Sequence, residues 1–383
     1  MTEKMLKLPI YLDYQATTAL DPRVLKVMVP FLGEKFGNPH SVDHSYGWEA
    51  EAAVEVARNQ VAALIGATDK DIVFTSGATE SNNLAIKGVG FAYHGTKNHI
   101  ITVKTEHECV LACTRSLENM GFTVTYLDVD QKGMIDLDAL KTAITEQTSI
   151  VSVMAVNNEI GVIQDLAAIG QICKERGIIF HTDAAQAVGK IPLDVDEMNI
   201  DVMSISGHKI YGPKGIGAIY VRPDTHIIPL FDGGGQEQGL RSGTLSPALC
   251  VGLGKACAVA GTDMDKDWEH VGKLSQRLLG KLTVALNSVK LNGSVVSRYP
   301  GNLNFTFSGV KSDLLVSNLR DIAISTGSAC SSAKHQPSYV LEAIGLDKAE
   351  IEASIRIGIG RMSTEAEIDF AADYIIKCVT DLS

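Results

Sequence analysis

Lys209 lies in the stretch SISGHKIYGPKGIG, Ser204 to Gly217. It follows an apolar run, Asp201 to Ile205, that predicts a strand opening into a loop at Ser206 and Gly207. Gly212, Gly215 and Gly217 let this backbone bend and approach a ligand closely. A lysine held there loses solvation and basicity and becomes a nucleophilic amine. An ordinary exposed loop lysine is the competing reading, because most lysines are surface residues.

Four other stretches sit at the carboxyl ends of predicted strands. SGATESNN, Ser76 to Asn83, opens a helix. Gly77 permits close approach there, and the N–H groups of Ala78 and Thr79 face whatever is bound, as in a helix-terminus phosphate site. A plain N-cap with Glu80 in the first turn is the alternative. No G-K-[ST] follows, so this is not a Walker loop. EHE, Glu106 to Glu108, offers His107; HECVL has Leu111 where a zinc helix needs its second His. The flat imidazole can stack on an aromatic ligand or simply be structural. In HTDAAQAVG, His181 to Gly189, Asp183 ends a buried apolar strand. A carboxylate there needs a cationic or hydrogen-bonding partner; the protonated ring nitrogen of a cofactor is one, a helix N-terminus another. VNNEIG, Val156 to Gly161, offers two side-chain amides or a polar turn. A phosphate-binding helix start, a stacking His, a buried Asp and an amine nucleophile are together the parts that hold pyridoxal 5′-phosphate.

Strands and helices must position these groups. A helix is predicted from Trp48 to Ile65, where apolar residues recur every three or four positions. Beyond it, strands and helices alternate. The strands are Ile72–Thr75, His99–Val103, Phe122–Leu127, Ser149–Val156, Ile178–Asp183, the run before Ser206, and Ile216–Val221. Helices start near Thr79 and run over Cys109–Asn119, Leu137–Thr145 and Leu166–Arg176. Continuous apolar strands alternating with helices indicate an α/β fold with a mostly parallel sheet covered on both faces, and ligands bind beyond the carboxyl ends of such strands. After a helix from Pro247 to Ala260, the acidic stretch GTDMDKD, Gly261 to Asp267, reads as a break between domains. The expected division is a large domain over residues 15–260 and a smaller α+β domain from residues 1–14 and 261–383.

The 383 residues carry a net charge of −11 and are 45% hydrophobic. That suits a globular chain of one or two domains, and disfavours nucleic acid or an anionic membrane as main partner. No apolar run reaches the length of a membrane span, and the first residues show neither signal-peptide nor transit-peptide character, so a cytoplasmic location is expected. The seven cysteines, Cys109, Cys113, Cys173, Cys250, Cys257, Cys330 and Cys378, are odd in number and lack C-x-x-C spacing. They make a poor disulfide framework and a poor zinc site; no metal is expected, and most are expected to be buried, reduced thiols.

DYQATT, GNPHS, SGATESNN, KTEH, VNNEIG, HTDAAQ, SGHKIYGPKG, RSGT and STGSACSS occur in an order that resembles the cysteine desulfurases. These are the NifS/IscS-like group of pyridoxal-phosphate enzymes within the class-V aminotransferases. The resemblance runs from Tyr11 almost to the C-terminus. It implies the fold-type I architecture with a seven-stranded sheet, pyridoxal 5′-phosphate as cofactor, L-cysteine as substrate and a homodimer. Carried over by motif, Lys209 is the Schiff-base lysine, His107 stacks on the ring, Asp183 pairs with the ring nitrogen and Gln186 faces the ring hydroxyl. Ala78, Thr79, Ser206 and His208 hold the phosphate, joined by Thr244 from the other subunit. Asn158 and Arg356 hold the substrate carboxylate. Cys330, in the small-residue run STGSACSSA, takes the substrate sulfur as a persulfide and releases alanine. The sulfur then goes to iron–sulfur cluster assembly through a scaffold or other acceptor protein, and to tRNA thiolation. Many relatives continue past the last helix into a tail that helps dock the scaffold; this chain stops at Ser383. A selenocysteine lyase, another lyase or aminotransferase on the same fold, and a non-catalytic sulfur-relay subunit are the competing readings.

Overall fold

A computed structural model describes residues 6–326 and 337–383; Cys330 lies outside the described residues. The N-terminal part contains β1 (Ile10–Tyr11), α1 (Pro22–Met28), α2 (Ser45–Leu64), β2 (Ile72–Thr75) and α3 (Ala78–Tyr93). Next come β3 (His99–Val103), α4 (Glu108–Glu118), β4 (Thr123–Leu127), α5 (Leu137–Ala143), β5 (Thr148–Ser152) and α6 (Leu166–Arg176). β6 (Ile179–Asp183), β7 (Val202–Ser206) and β8 (Gly217–Val221) complete the central sheet.

That sheet has seven strands in the order β2-β8-β7-β6-β5-β3-β4. β8 is antiparallel to both its neighbours, β2 and β7, and the remaining pairs are parallel. β2, β3, β5 and β7 are buried at every position, whereas edge strand β4 is buried only at Leu127. Successive side chains serve opposite faces. Phe74, Ile101, Val151 and Met203 pack with Val54 and Val61 of α2 and with Ile169 of α6. Val73, Ile100, Ile150 and Val202 pack instead with Leu84 and Val89 of α3 and Val110 of α4. The expected strand from Ser149 to Val156 stops at Ser152, and Val153–Gly161 turns across the sheet's carboxyl edge.

The remaining elements are α7 (Pro247–Ala285), β9 (Val289–Leu291), β10 (Asn302–Phe307), α8 (Ser312–Asn318), β11 (Ile322–Ala323), α9 (Tyr339–Ala343), α10 (Lys348–Glu352), β12 (Ser354–Gly358) and α11 (Glu365–Leu382). β12, β10 and β9 form an antiparallel sheet, and β1 pairs in parallel with β11. The expected break at Gly261–Asp267 is absent: α7 is one helix of 39 residues. Two of the three acidic residues in that stretch are paired in place, Asp263 with Arg23 at 2.9 Å and Asp267 with Arg361 at 2.8 Å, and the third, Asp265, is exposed to solvent.

Two glycines shape the carboxyl edge. Gly77, the N-cap of α3, has φ 149° and ψ 177°, a conformation essentially restricted to glycine. A Cβ on Gly217 would sit 2.7 Å from Gly77 Cα and 2.4 Å from the Ile205 carbonyl oxygen. The start of β8 therefore lies backbone against backbone on the loop that opens α3.

Candidate active site

A cavity of about 500 Å³ opens at this edge. Ten of the residues singled out from sequence line it: Ala78, Thr79, His107, Asn158, Asp183, Gln186, Ser206, His208, Lys209 and Arg356. They come from separate chain segments: the central sheet brings the ends of β2, β6 and β7 together with the turns after β3 and β5, and β12 of the C-terminal sheet adds Arg356. Thr244 is exposed and does not line this cavity. Cys330 lies outside the described residues.

Lys209 follows β7 in a single 3-10 turn, Gly207–Lys209. Its Nζ donates to the carbonyl oxygens of Gln15 at 2.6 Å and Ala16 at 2.7 Å. Gln186 donates its amide N–H to the same Gln15 oxygen at 2.9 Å and accepts at Oε1 from Lys190 Nζ at 2.8 Å. Burial, then the charges of Lys209 and Arg356, push the Lys190 ammonium down to about 7. Burial, then the Lys209 charge, holds the His208 imidazole at about 4, so its ring is neutral near pH 7. Its Nδ1 lies 3.1 Å from Thr17 Oγ1. The segment Gln15–Thr17, within DYQATT, thus forms one wall of the site.

Asp183 is 4% exposed. No helix follows it, so it is not a helix cap. Oδ1 accepts from the Ala185 N–H at 2.9 Å and Oδ2 from Asn82 Nδ2 at 2.7 Å. His107 caps α4, its Nδ1 accepting the Cys109 N–H at 3.2 Å. Beneath it, burial and then the Asp183 charge hold the Glu106 carboxyl well above the usual carboxylate range. Glu80 lines the cavity, but its carboxylate is engaged by the Ser76 N–H at 2.8 Å and by Arg241 at 2.9 Å.

Arg356, in β12, is 1% exposed. Nη2 pairs with Asp13 Oδ1 at 2.7 Å, Nη1 donates to the Asn158 carbonyl at 3.0 Å, and Nε is buried without a hydrogen-bond partner. Asn158 therefore meets Arg356 through its main chain. Asn157 spends its side chain on the turn itself, accepting from the N–H groups of Glu159 and Ile160. Cys109 lines the cavity and is part-exposed, whereas the other five described cysteines are buried.

Residues 10–370 match the family model of class-V aminotransferases. The chain belongs to the class-V aminotransferase family. It is 57% identical over 377 residues to a cysteine desulfurase IscS of Rickettsia felis, covering 98% of this chain and 92% of that one. A second IscS, from Rickettsia bellii, matches at the same identity and coverage. Among solved structures, a NifS-like protein superposes with a TM-score of 0.92 at 35% identity, over 98% of this chain and all of the other. SspA in complex with cysteine superposes at 0.83 with 41% identity, over 93% of this chain and all of that one. Class-V aminotransferases depend on pyridoxal phosphate, and the cavity fits that group. Gly77 opens a helix N-terminus at one side, Ser206 and His208 supply further polar groups, and a buried carboxylate and a primary amine face the same space.

Proposed function

We propose that the protein is a pyridoxal-phosphate-dependent cysteine desulfurase that converts L-cysteine to L-alanine and keeps the sulfur as a persulfide on Cys330. The observation that carries this reading is the meeting of Lys209, Asp183 and Arg356 in one cavity. An amine, a buried carboxylate and a guanidinium are what an amino-acid substrate and this cofactor require together.

Bound pyridoxal phosphate supplies an aldehyde that joins a primary amine and a ring that accepts electrons. Lys209 contributes the amine and then removes the proton from the substrate α-carbon. The carbonyls of Gln15 and Ala16 are positioned to receive its ammonium. Asp183 keeps a proton on the ring nitrogen, and its two accepted hydrogen bonds fix the carboxylate for that task. His107 stacks on the ring and Gln186 faces its hydroxyl. Ala78, Thr79, Ser206 and His208 hold the phosphate. Arg356 holds the substrate carboxylate, Nε being a nitrogen of the guanidinium without a partner, and Asn158 lies beside it. The Cys330 thiolate attacks the substrate sulfur: an S–S bond forms, the C–S bond breaks with its electron pair left on the substrate β-carbon, that carbon takes up a proton, the α-carbon regains its own, and alanine leaves.

We further infer a homodimer in which Thr244 reaches the phosphate of the neighbouring subunit. Its exposure outside its own cavity supports this, as do the exposed apolar side chains Leu32, Phe36, Val42, Tyr46 and Trp48. A large domain over residues 15–260 and a small one from 1–14 and 261–383 is supported by the β1–β11 pairing, which ties the N-terminal strand to the C-terminal part. Among the described residues no helix is long and apolar enough to cross a membrane. A cytoplasmic enzyme passing sulfur to an iron–sulfur scaffold or another acceptor protein fits this reading. The test is to purify the protein with pyridoxal phosphate and incubate it with L-cysteine. A yellow protein that releases alanine and gains one sulfur on Cys330 is expected, with both activities lost in Lys209→Ala. Absence of alanine, or normal turnover by Lys209→Ala, overturns the assignment.

A further inference from the structure

Two groups on the cavity wall are tied together by a residue that does not line it. Asn82, on α3, is fully buried. Its Nδ2 donates to Asp183 Oδ2 at 2.7 Å and to Cys109 Sγ at 3.2 Å. Asp183 dictates this orientation, since a flipped amide would turn its oxygen onto the carboxylate. The orientation leaves Asn82 Oδ1 buried with no hydrogen-bond partner, a costly arrangement.

Cys109 continues the chain of contacts. Its Sγ lies 3.0 Å from His107 Nδ1, and its own N–H donates to the same nitrogen at 3.2 Å. A ring nitrogen that accepts a backbone N–H carries no proton. Nδ1 is therefore the bare nitrogen, and the thiol hydrogen must point toward it. The proton of neutral His107 then sits on Nε2. The hydrogen bonds share one direction: Asn82 donates to both Asp183 and Cys109, and Cys109 donates to His107.

We infer that Asn82 and Cys109 are positioning residues for the reaction. The backbone N–H of Cys109 and its thiol together hold the His107 imidazole in its Nε2–H form, the thiol adding to what the N–H alone provides, and Asn82 holds both that thiol and the Asp183 carboxylate. This rests on the roles proposed above for His107 and Asp183. The thiol acts here as a hydrogen-bonding group and not as a nucleophile.

The test uses cofactor-free, full-length protein with ¹⁵N-labelled histidine, the His107 signals being assigned by their loss in His107→Gln. The wild type should show the Nε2–H form. Cys109→Ser keeps a donor and an acceptor and should retain it; Cys109→Ala should reveal a second tautomer at about one tenth or more. Wild-type Nδ1–H, or identical spectra for wild type and Cys109→Ala, overturns the proposal. With pyridoxal phosphate loaded, Cys109→Ala should lose about three- to ten-fold in kcat for alanine formation at unchanged KM, with Cys109→Ser restoring it. An effect on KM alone also overturns it. Asn82→Leu should disturb the tautomer and also move the absorption maximum of bound cofactor, whereas Cys109→Ala should move only the first; a wild-type tautomer in Asn82→Leu counts against the proposal. Should Asn82→Leu not fold, the Cys109 pair still decides. Failure of the wild type to form alanine strikes the function proposed above and leaves the tautomer result standing.

Discussion

Ser325 and Arg356 exchange both backbone hydrogen bonds, Ser325 N to Arg356 O at 3.3 Å and Arg356 N to Ser325 O at 2.6 Å. The residue proposed to hold the substrate carboxylate is thus fastened to the chain just before the segment that contains Cys330. Beyond that segment, Ser338 Oγ donates to Glu159 Oε2 at 2.6 Å, next to Asn158. Both roots of the segment are anchored beside the residues proposed to hold the substrate.

Arg356→Lys should raise KM for L-cysteine. An ammonium cannot reproduce the guanidinium fork that meets Asp13, the Asn158 carbonyl and the substrate at once. One charge-assisted hydrogen bond of about 1.5–3 kcal/mol corresponds to roughly a ten- to hundred-fold loss in kcat/KM. Steady-state alanine formation measures this, and an unchanged KM would remove Arg356 from substrate binding.

Asp183→Ala should shift the visible absorption of the loaded protein and lower kcat by about 100-fold or more, because the ring nitrogen loses its anionic partner. Asn82 and Ala185 lose their acceptor in the same variant. A normal spectrum at a normal rate would reduce Asp183 to a strand-end hydrogen-bond acceptor.

Cys330→Ala should bind pyridoxal phosphate and L-cysteine and form almost no alanine. Mass spectrometry of cysteine-treated wild type should place the added sulfur on Cys330. Burial pushes the Cys113, Cys173, Cys250 and Cys257 thiols up to about 12, so they carry little thiolate at neutral pH. Sulfur on one of those four would contradict the mechanism. Loss of cysteine turnover with retained action on L-selenocysteine would favour a selenocysteine lyase.

Asp21 gives a prediction for acid stability. Its hydrogen bonds to Arg23 hold the carboxyl at about 2, and it also meets Arg361 at 3.3 Å. A depressed folded-state value stabilises above the unfolded value near 4 and is lost as pH falls through about 2. Asp21→Asn should cost about 1–3 kcal/mol at neutral pH. It should also flatten the dependence of stability on pH between about 4 and 2. Urea titrations across that range measure both.

The sheet was legible because its strands are short apolar runs with helices between them; the runs at Ile72–Thr75 and His99–Val103 are strands over the same residues. Asp183 stood out because a carboxylate at the end of an apolar strand needs a partner, and Lys209 because its glycine-rich loop follows a strand and four other strand-end stretches offer groups to go with it. Cys109 was not, because a thiol in HECVL looks like packing. Its partner Asn82 lies 27 residues earlier and meets it only when α3 and α4 come together. GTDMDKD looked like a break because its acids are unsuited to a buried helix. Asp263 and Asp267 find their partners, Arg23 and Arg361, in distant parts of the chain, which the stretch itself does not reveal.

The unbroken helix α7 has a mechanical consequence. At 1.5 Å per residue its 39 residues form a rod about 58 Å long. It begins packed on α1 and α2 and ends beside β9 and α11, so it serves both proposed domains as a common axle. Relative movement between them then takes the form of rolling or flexing along that axle, since Gly261–Asp267 offers no joint. For the same reason a protease meets no connector at the proposed boundary, and the two halves of the molecule are not separable by a single cut there.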